Sequence, residues 1–375
     1  MSEWNMYYFT EMPFKEGSYI DPQLSDPRLN GTIFSKSGME NAFRKILDLI
    51  ELRRAFCYVR SEEDSRGTGK SALMAAVYWN LKTKEKLRFL PVWVTVHDFR
   101  TINQLMSRIV DTLVFADATD IIKNALSDWT AASVQSFILK RKRILPSQAA
   151  ALSAILSQQK ETLAWKYANI KRSYPTGPVE VFSDLMLMFA EADKRRLVVF
   201  IDQFEEYVEY QHGAKLTQLA NDLKDLYRTM AASGNLSFVV TMHPRTQNLF
   251  ESQAADILST YGDIMGNAAT IDPLKPSNLI SIAKAYIEHY RSEDIPKDLR
   301  NKNPIFPFSE DLLTYVSEHC GGNPRILIRV LGNMLEIGRL MKLKEIERKL
   351  LDNSRIYSLS GLGEISDLEE GSEDT

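Results

Sequence analysis

The stretch that most limits what this chain can fold into is Ala55-Phe-Cys-Tyr-Val-Arg-Ser-Glu-Glu-Asp-Ser-Arg-Gly-Thr-Gly-Lys-Ser71. Ala55 to Val59 is apolar and β-favouring and predicts a buried strand, and Ala72 to Leu81 predicts the helix that follows. A strand, a glycine-rich turn and a helix in that order are the setting of a phosphate-binding loop. The backbone amides of Gly67, Thr68, Gly69, Lys70, Ser71 and Ala72 would face a polyphosphate at the helix N-terminus, where unpaired N–H groups and the helix dipole favour negative charge. Lys70 would reach the β- and γ-phosphates, and the Ser71 hydroxyl would take one position on Mg²⁺. In the pattern G-x-x-x-x-G-K-[ST] the first glycine belongs at position 64, where this chain has Asp64 behind Glu62 and Glu63. Unless those carboxylates face solvent, they repel phosphate and lower nucleotide affinity.

At 375 residues and 44% hydrophobic content, the chain can build two domains or one large one with insertions. No apolar run reaches the roughly 18–20 residues that span a bilayer, and the N-terminus lacks the regions of a signal peptide. The expectation is a cytoplasmic protein without membrane association. Cys57 and Cys320 are too few for a disulfide framework or a zinc cluster. The five histidines show no metal-ligand spacing, which argues against nuclease, protease or redox chemistry.

Residues 1–32 are aromatic and turn-rich, and we expect an extended arm on a domain surface. Residues 33–274 are expected to form the phosphate-binding domain. It begins with an amphipathic helix over 37–52 that would wall the adenine side, and Arg88 to His97 is its second strand. A helical insertion over 118–175 holds eight Lys or Arg and one acid between Phe137 and Pro175. Lys140, Arg141, Lys142, Arg143, Lys166, Lys171 and Arg172, interleaved with Trp165, Tyr167 and Tyr174, fit a DNA- or RNA-contacting surface with stacking aromatics. They equally fit two amphipathic helices with solvated lysines.

The next strong signal is Arg195-Arg-Leu-Val-Val-Phe-Ile-Asp-Gln-Phe-Glu-Glu206. Its apolar run predicts a buried parallel strand whose end presents Asp202 to Mg²⁺. Glu205 or Glu206, a turn further on, would orient and deprotonate the attacking water. A further strand, 235–243, ends in Thr241 and His243, either of which could touch the γ-phosphate or the water. Arg245 follows it, and Arg228 precedes it. Either arginine could reach a neighbouring subunit's nucleotide, although Arg228 fits a surface ion pair better. Residues 275–354 read as a helical lid with helices at 277–290, 309–319 and 323–351, the last opened by Gly321-Gly-Asn-Pro-Arg325. Residues 355–375, with six acids after Leu362, read as a disordered acidic tail.

Together, Gly67-Thr-Gly-Lys-Ser71, Val198-Val-Phe-Ile-Asp-Gln-Phe-Glu-Glu206, the strand ending at Thr241 and Gly-Gly-Asn-Pro-Arg325 resemble the AAA+ and STAND branch of the P-loop ATPases, over roughly 33–352. The resemblance implies an αβα sandwich with a parallel sheet followed by a small all-helical lid, with ATP and Mg²⁺ held between them and often between subunits. It gives Arg325 the role called sensor 2 and Thr241 that called sensor 1. The winged helix of the origin-binding relatives and the sensor or effector domain of STAND proteins are not seen in the sequence. Three functional readings stay open at this stage. The chain may be written as an oligomerising ATPase switch on nucleic acid, of a loader, transposition or defence type; as a STAND-type signalling ATPase with a protein partner and slow or absent hydrolysis; or as a catalytically dead scaffold.

Overall fold

The computed structural model describes residues 4–15, 38–54, 56–61, 67–83, 85, 88–95, 104–106, 109, 195–209, 214–215, 217–218, 221–222, 236–246 and 266–362. The basic insertion at 118–175, Arg228, and Glu62, Glu63 and Asp64 lie outside the described residues. The chain divides into two units. One comprises Met1–Phe43, Ser61–Ala76 and Thr270–Thr375, and the other Arg44–Arg60 and Val77–Ala269.

Five strands, β1 (Phe56–Ser61), β2 (Phe89–Thr95), β3 (Arg196–Asp202), β4 (Leu236–Met242) and β5 (Ala268–Ile271), form one sheet in the order β2-β3-β4-β1-β5. The pairs β2/β3, β3/β4 and β4/β1 are all parallel, with Phe56 opposite Phe238, Arg60 opposite Met242 and Ile201 opposite Val240. Parallel neighbours require crossover connections and both faces covered. This explains why β3 and β4 are near-continuous apolar runs: Val198, Val199, Phe200, Phe238, Val239 and Val240 are all at 0% exposure. The register carries Asp202 and Thr241 to the same edge of the sheet, the C-terminal edge where open α/β sheets bind ligands.

Helix α1 (Glu40–Glu51) is amphipathic and buries Ile46, Leu49 and Ile50. Helix α2 (Lys70–Thr83) is apolar nearly all round, as a helix buried on most sides must be. Tyr78 of α2 meets Trp93 and Phe200 edge-on at 5.8 and 5.7 Å, while Trp93 and Phe200 stack at 5.9 Å. These rings seat α2 on β2 and β3. A short helix α3 (Phe204–Glu209) follows β3 after one residue.

The unit containing the C-terminal region is helical: α4 (Pro276–His289), α5 (Lys297–Lys302), α6 (Glu310–Glu318), α7 (Pro324–Leu340) and α8 (Ser354–Ser360). Ser309 caps α6 by accepting from the Leu312 N–H at 3.2 Å. Residues 4–15 are built into this unit rather than laid along its surface. Tyr7, Phe9 and Phe14 are at most 2% exposed. Phe14 stacks on Tyr286 at 6.1 Å and meets Phe308 edge-on at 5.8 Å. Arg291, under the Phe9 ring at 4.7 Å, donates to the carbonyls of Tyr7, Pro304 and Phe306.

Two sequence expectations differ from the structure here. The helix expected over 323–351 ends at Leu340; the chain turns through Lys342 at φ 52° and reaches a 3₁₀ turn, Arg348–Asp352, by way of buried Ile346, which pairs with Phe308. The tail expected from 355 is helical to Ser360, because Asn353 caps α8 by accepting from the N–H groups of Arg355 and Ile356, and Ile356 and Leu362 are buried. Residues 363–375 lie outside the described residues. Among the described residues no helix is long and apolar enough to cross a membrane.

Candidate nucleotide site

The phosphate-binding turn is held open by two glycines. Gly67 and Gly69 have φ of 89° and 99°, conformations that a residue with a Cβ adopts only with strain. Both are covered closely. A Cβ built on Gly67 would lie 2.4 Å from the Cβ of Arg325, and one on Gly69 would lie 2.3 Å from the Cε of Met39. The Arg325 side chain therefore lies across the loop. Local chemistry puts it there: Asn323 caps α7 by accepting from the Arg325 N–H at 2.9 Å, Pro324 occupies the first helical position, and Arg325 falls in the first turn. The hinge before it is tied by the Leu274 N–H donating to the Gly322 carbonyl at 3.0 Å.

Lys70 opens α2 and is 7% exposed, with its ammonium donating to Ser61 Oγ at 3.4 Å. Ser71 and Ala72 follow, half-buried, in the first turn. The Thr68 hydroxyl oxygen is buried and has no hydrogen-bond partner among the described residues. A buried hydroxyl left unpaired is costly, and a phosphate oxygen is the acceptor its O–H lacks. Two left-handed glycines, a buried ammonium and an orphaned hydroxyl fit a polyphosphate.

The second cluster gathers at the C-terminal edge of β3 and β4. Asp202 is 3% exposed, and its Oδ1 accepts from the Gln203 N–H at 3.0 Å. Glu205 and Thr241, at 7% and 1% exposure, are joined: the Thr241 hydroxyl donates to Glu205 Oε2 and accepts from the Phe204 N–H at 3.1 Å. His243 Nε2 lies 3.2 Å from Glu205 Oε1. Thus Thr241 and His243, read from sequence as neighbours of the γ-phosphate, both hold Glu205. Glu206 is half-buried and Arg245 is exposed on the turn after β4. Among the described residues no group of three or more His, Cys, Asp or Glu forms a metal site; Asp202 and Ser71 are the groups that would meet a Mg²⁺ arriving with nucleotide. Lys140, Arg141, Lys142, Arg143, Lys166, Lys171 and Arg172 lie outside the described residues.

Sequence reasoning passed over Met39, Ser61 and Gln203. The signal for Gln203 was its position, the single residue between a strand ending in Asp202 and a helix beginning at Phe204.

No protein-family model matches this chain, and no curated protein matches it. Solved structures do match. The ORC2 protein of Aeropyrum pernix, in its ADPNP–ADP complexes, superposes with a TM-score of 0.54 at 14% identity over 94% of this chain and 72% of that one. Its ADP form gives a TM-score of 0.52 at 14% identity, over 94% and 73%. The fold is that of the AAA+ ATPases. The five-stranded order, the flanking helices and the helical C-terminal region are the AAA+ arrangement. In it the β1–α2 turn is the P-loop and β3 the Walker B strand.

Proposed function

We propose that the chain is an ATP-binding and ATP-hydrolysing switch of AAA+/STAND type, which forms homo-oligomers when loaded with ATP and acts on nucleic acid. The observation that carries the reading is Arg325 lying over Gly67. A guanidinium on the helical region and the phosphate-binding turn share one spot, so a bound triphosphate would meet both. The presence of ADPNP and ADP in the ORC2 structures supports a nucleotide at this position.

The chain's own groups divide the work. The amides of Gly67 to Ala72 and the Lys70 ammonium bind the phosphates, and Asp202 and Ser71 hold Mg²⁺. The metal neutralises charge that develops on the transferring phosphoryl group. Arg325 couples the presence of the γ-phosphate to α7, and exposed Arg245 is the group available to a neighbouring subunit's nucleotide. The excess of basic residues between Phe137 and Pro175 supports a nucleic-acid partner over an acidic protein surface, because aromatic residues alternate with the charges.

The test is the steady-state ATPase rate with Mg²⁺, with and without double-stranded DNA, across a salt series. The reading expects a rate that DNA raises and salt suppresses, and that neutralising Lys140, Arg141, Lys142 and Arg143 returns to its DNA-free value. A rate indifferent to DNA, alongside tight ATP binding, would replace nucleic acid with a protein partner.

A further inference from the structure

Gln203 joins β3 to α3, and its geometry is unused by the reading above. Its φ is 59°, in the left-handed region, which is uncommon for a residue with a long side chain and collects at functional positions. Its Oε1 is buried with no hydrogen-bond partner among the described residues, although its backbone N–H is satisfied by Asp202 Oδ1. A buried amide oxygen without a donor is an exception that calls for an explanation, and an absent water is one. Glu205, the acid expected to manage the water, is by contrast occupied: one oxygen accepts from Thr241 and the other faces His243 Nε2 at 3.2 Å.

We propose that Gln203 orients the water that attacks the γ-phosphate, and that Glu205 is the positioning residue that pins the Gln203 turn to β4. The inference rests on the ATPase reading. In the step, the water oxygen bonds to the γ-phosphorus while the bond from that phosphorus to the β–γ bridging oxygen breaks. ADP departs with the bridging electron pair, and the water's proton passes to a phosphate oxygen of the released inorganic phosphate. An amide suits this division because it can accept from the water without having to take the proton. A glutamine in this orienting role is known in phosphoryl transfer. Glu205, tied to Thr241, whose oxygen also accepts from Phe204, fixes where α3 begins and so where Gln203 points.

The discriminating variant is Gln203→Gly, which deletes the side chain while suiting the left-handed backbone. It should fold with a melting temperature no lower than that of the natural chain. The measurement is the Kd of the full chain for Mg²⁺–ADP, alone and with aluminium fluoride, which mimics the phosphoryl group in flight with its in-line water. The natural chain should tighten about 10²-fold on adding fluoride. Gln203→Gly should keep its ADP affinity and lose that tightening, and its kcat should fall roughly 10²-fold with KM unchanged. Gln203→Asn, which tolerates the backbone but falls one methylene short, should lose most of it too. Tightening in Gln203→Gly equal to that of the natural chain would overturn the assignment. So would loss of tightening in Glu205→Gln while Gln203→Gly retains it, which returns the water to Glu205. A natural chain that binds ADP but never tightens also defeats the assignment and leaves nucleotide binding standing; one that binds no ADP defeats the ATPase reading itself.

Discussion

Replacing Gly67 by Ala adds one methyl group at the point where the helical region meets the P-loop. Two costs follow from the geometry. At φ 89° an L side chain is strained by roughly 1–2 kcal/mol. The new Cβ would stand 2.4 Å from Arg325 Cβ, 2.6 Å from its Cδ and 3.1 Å from its Cγ. Overlap of that kind in a packed contact costs about 1–3 kcal/mol more. The second cost depends on Arg325 and the first does not, so a double-mutant cycle separates them. Arg325→Gly is the proper partner, because Arg325→Ala would leave the nearest atom in place. In urea unfolding followed by fluorescence, Gly67→Ala should cost about 2–5 kcal/mol in the natural chain and about 1–2 kcal/mol in the Arg325→Gly background, a coupling of about 1–3 kcal/mol. Nucleotide affinity should show the same asymmetry. Equal costs in both backgrounds would refute the claim that Arg325 lies on the loop.

Phe14→Ala should destabilise the chain by about 3–5 kcal/mol in the same assay, because the ring is 2% exposed between Tyr286 and Phe308. A neutral result would mean the N-terminal segment is not part of the helical core. Arg291→Met leaves three buried carbonyls without their charged donor and should cost about 3 kcal/mol; a loss under about 0.5 kcal/mol would mean water replaces it freely. Burial pushes the thiols of Cys57 and Cys320 up to about 12 from their ordinary value of 9.0. The folded state therefore holds these protons more tightly than the unfolded state. Their contribution is fully present below pH 9 and is lost as pH rises toward 12, by about 1.4 kcal/mol per pH unit for each thiol within that window. A thiol-reactive dye at pH 8 should label neither cysteine until the chain is unfolded, and prompt labelling of either would contradict its burial.

Much of the sheet was legible because parallel strands buried on both faces leave unbroken apolar runs, as Val198 to Ile201 and Phe238 to Val240 do. The P-loop was legible because only glycine suits the backbone at 67 and 69. What escaped was decided by contacts distant in sequence. Nothing local to Tyr7 or Phe14 says that their partners are Leu343, Tyr286 and Phe308. The long last helix was overextended because Met341 to Ile346 carries no proline or glycine; the break is set by the pairing of Ile346 with Phe308. The tail was assigned too early because its polar composition hid Ile356 and Leu362. In the site, each of Asp202, Glu205, Thr241 and His243 could be chosen by type and position. That Thr241 and His243 converge on one carboxylate came from the register between β3 and β4.

The most direct test of the account is a calorimetric titration of the purified chain with ATP and Mg²⁺, run beside Lys70→Ala. Lys70 is the buried ammonium of the P-loop, and a charge-assisted contact to phosphate is worth about 1.5–3 kcal/mol. The natural chain should bind one ATP per chain, and Lys70→Ala should bind at least about 10-fold more weakly at an unchanged melting temperature. Saturable binding that is the same in both proteins, or no binding to the natural chain at all, would contradict a nucleotide site at this loop.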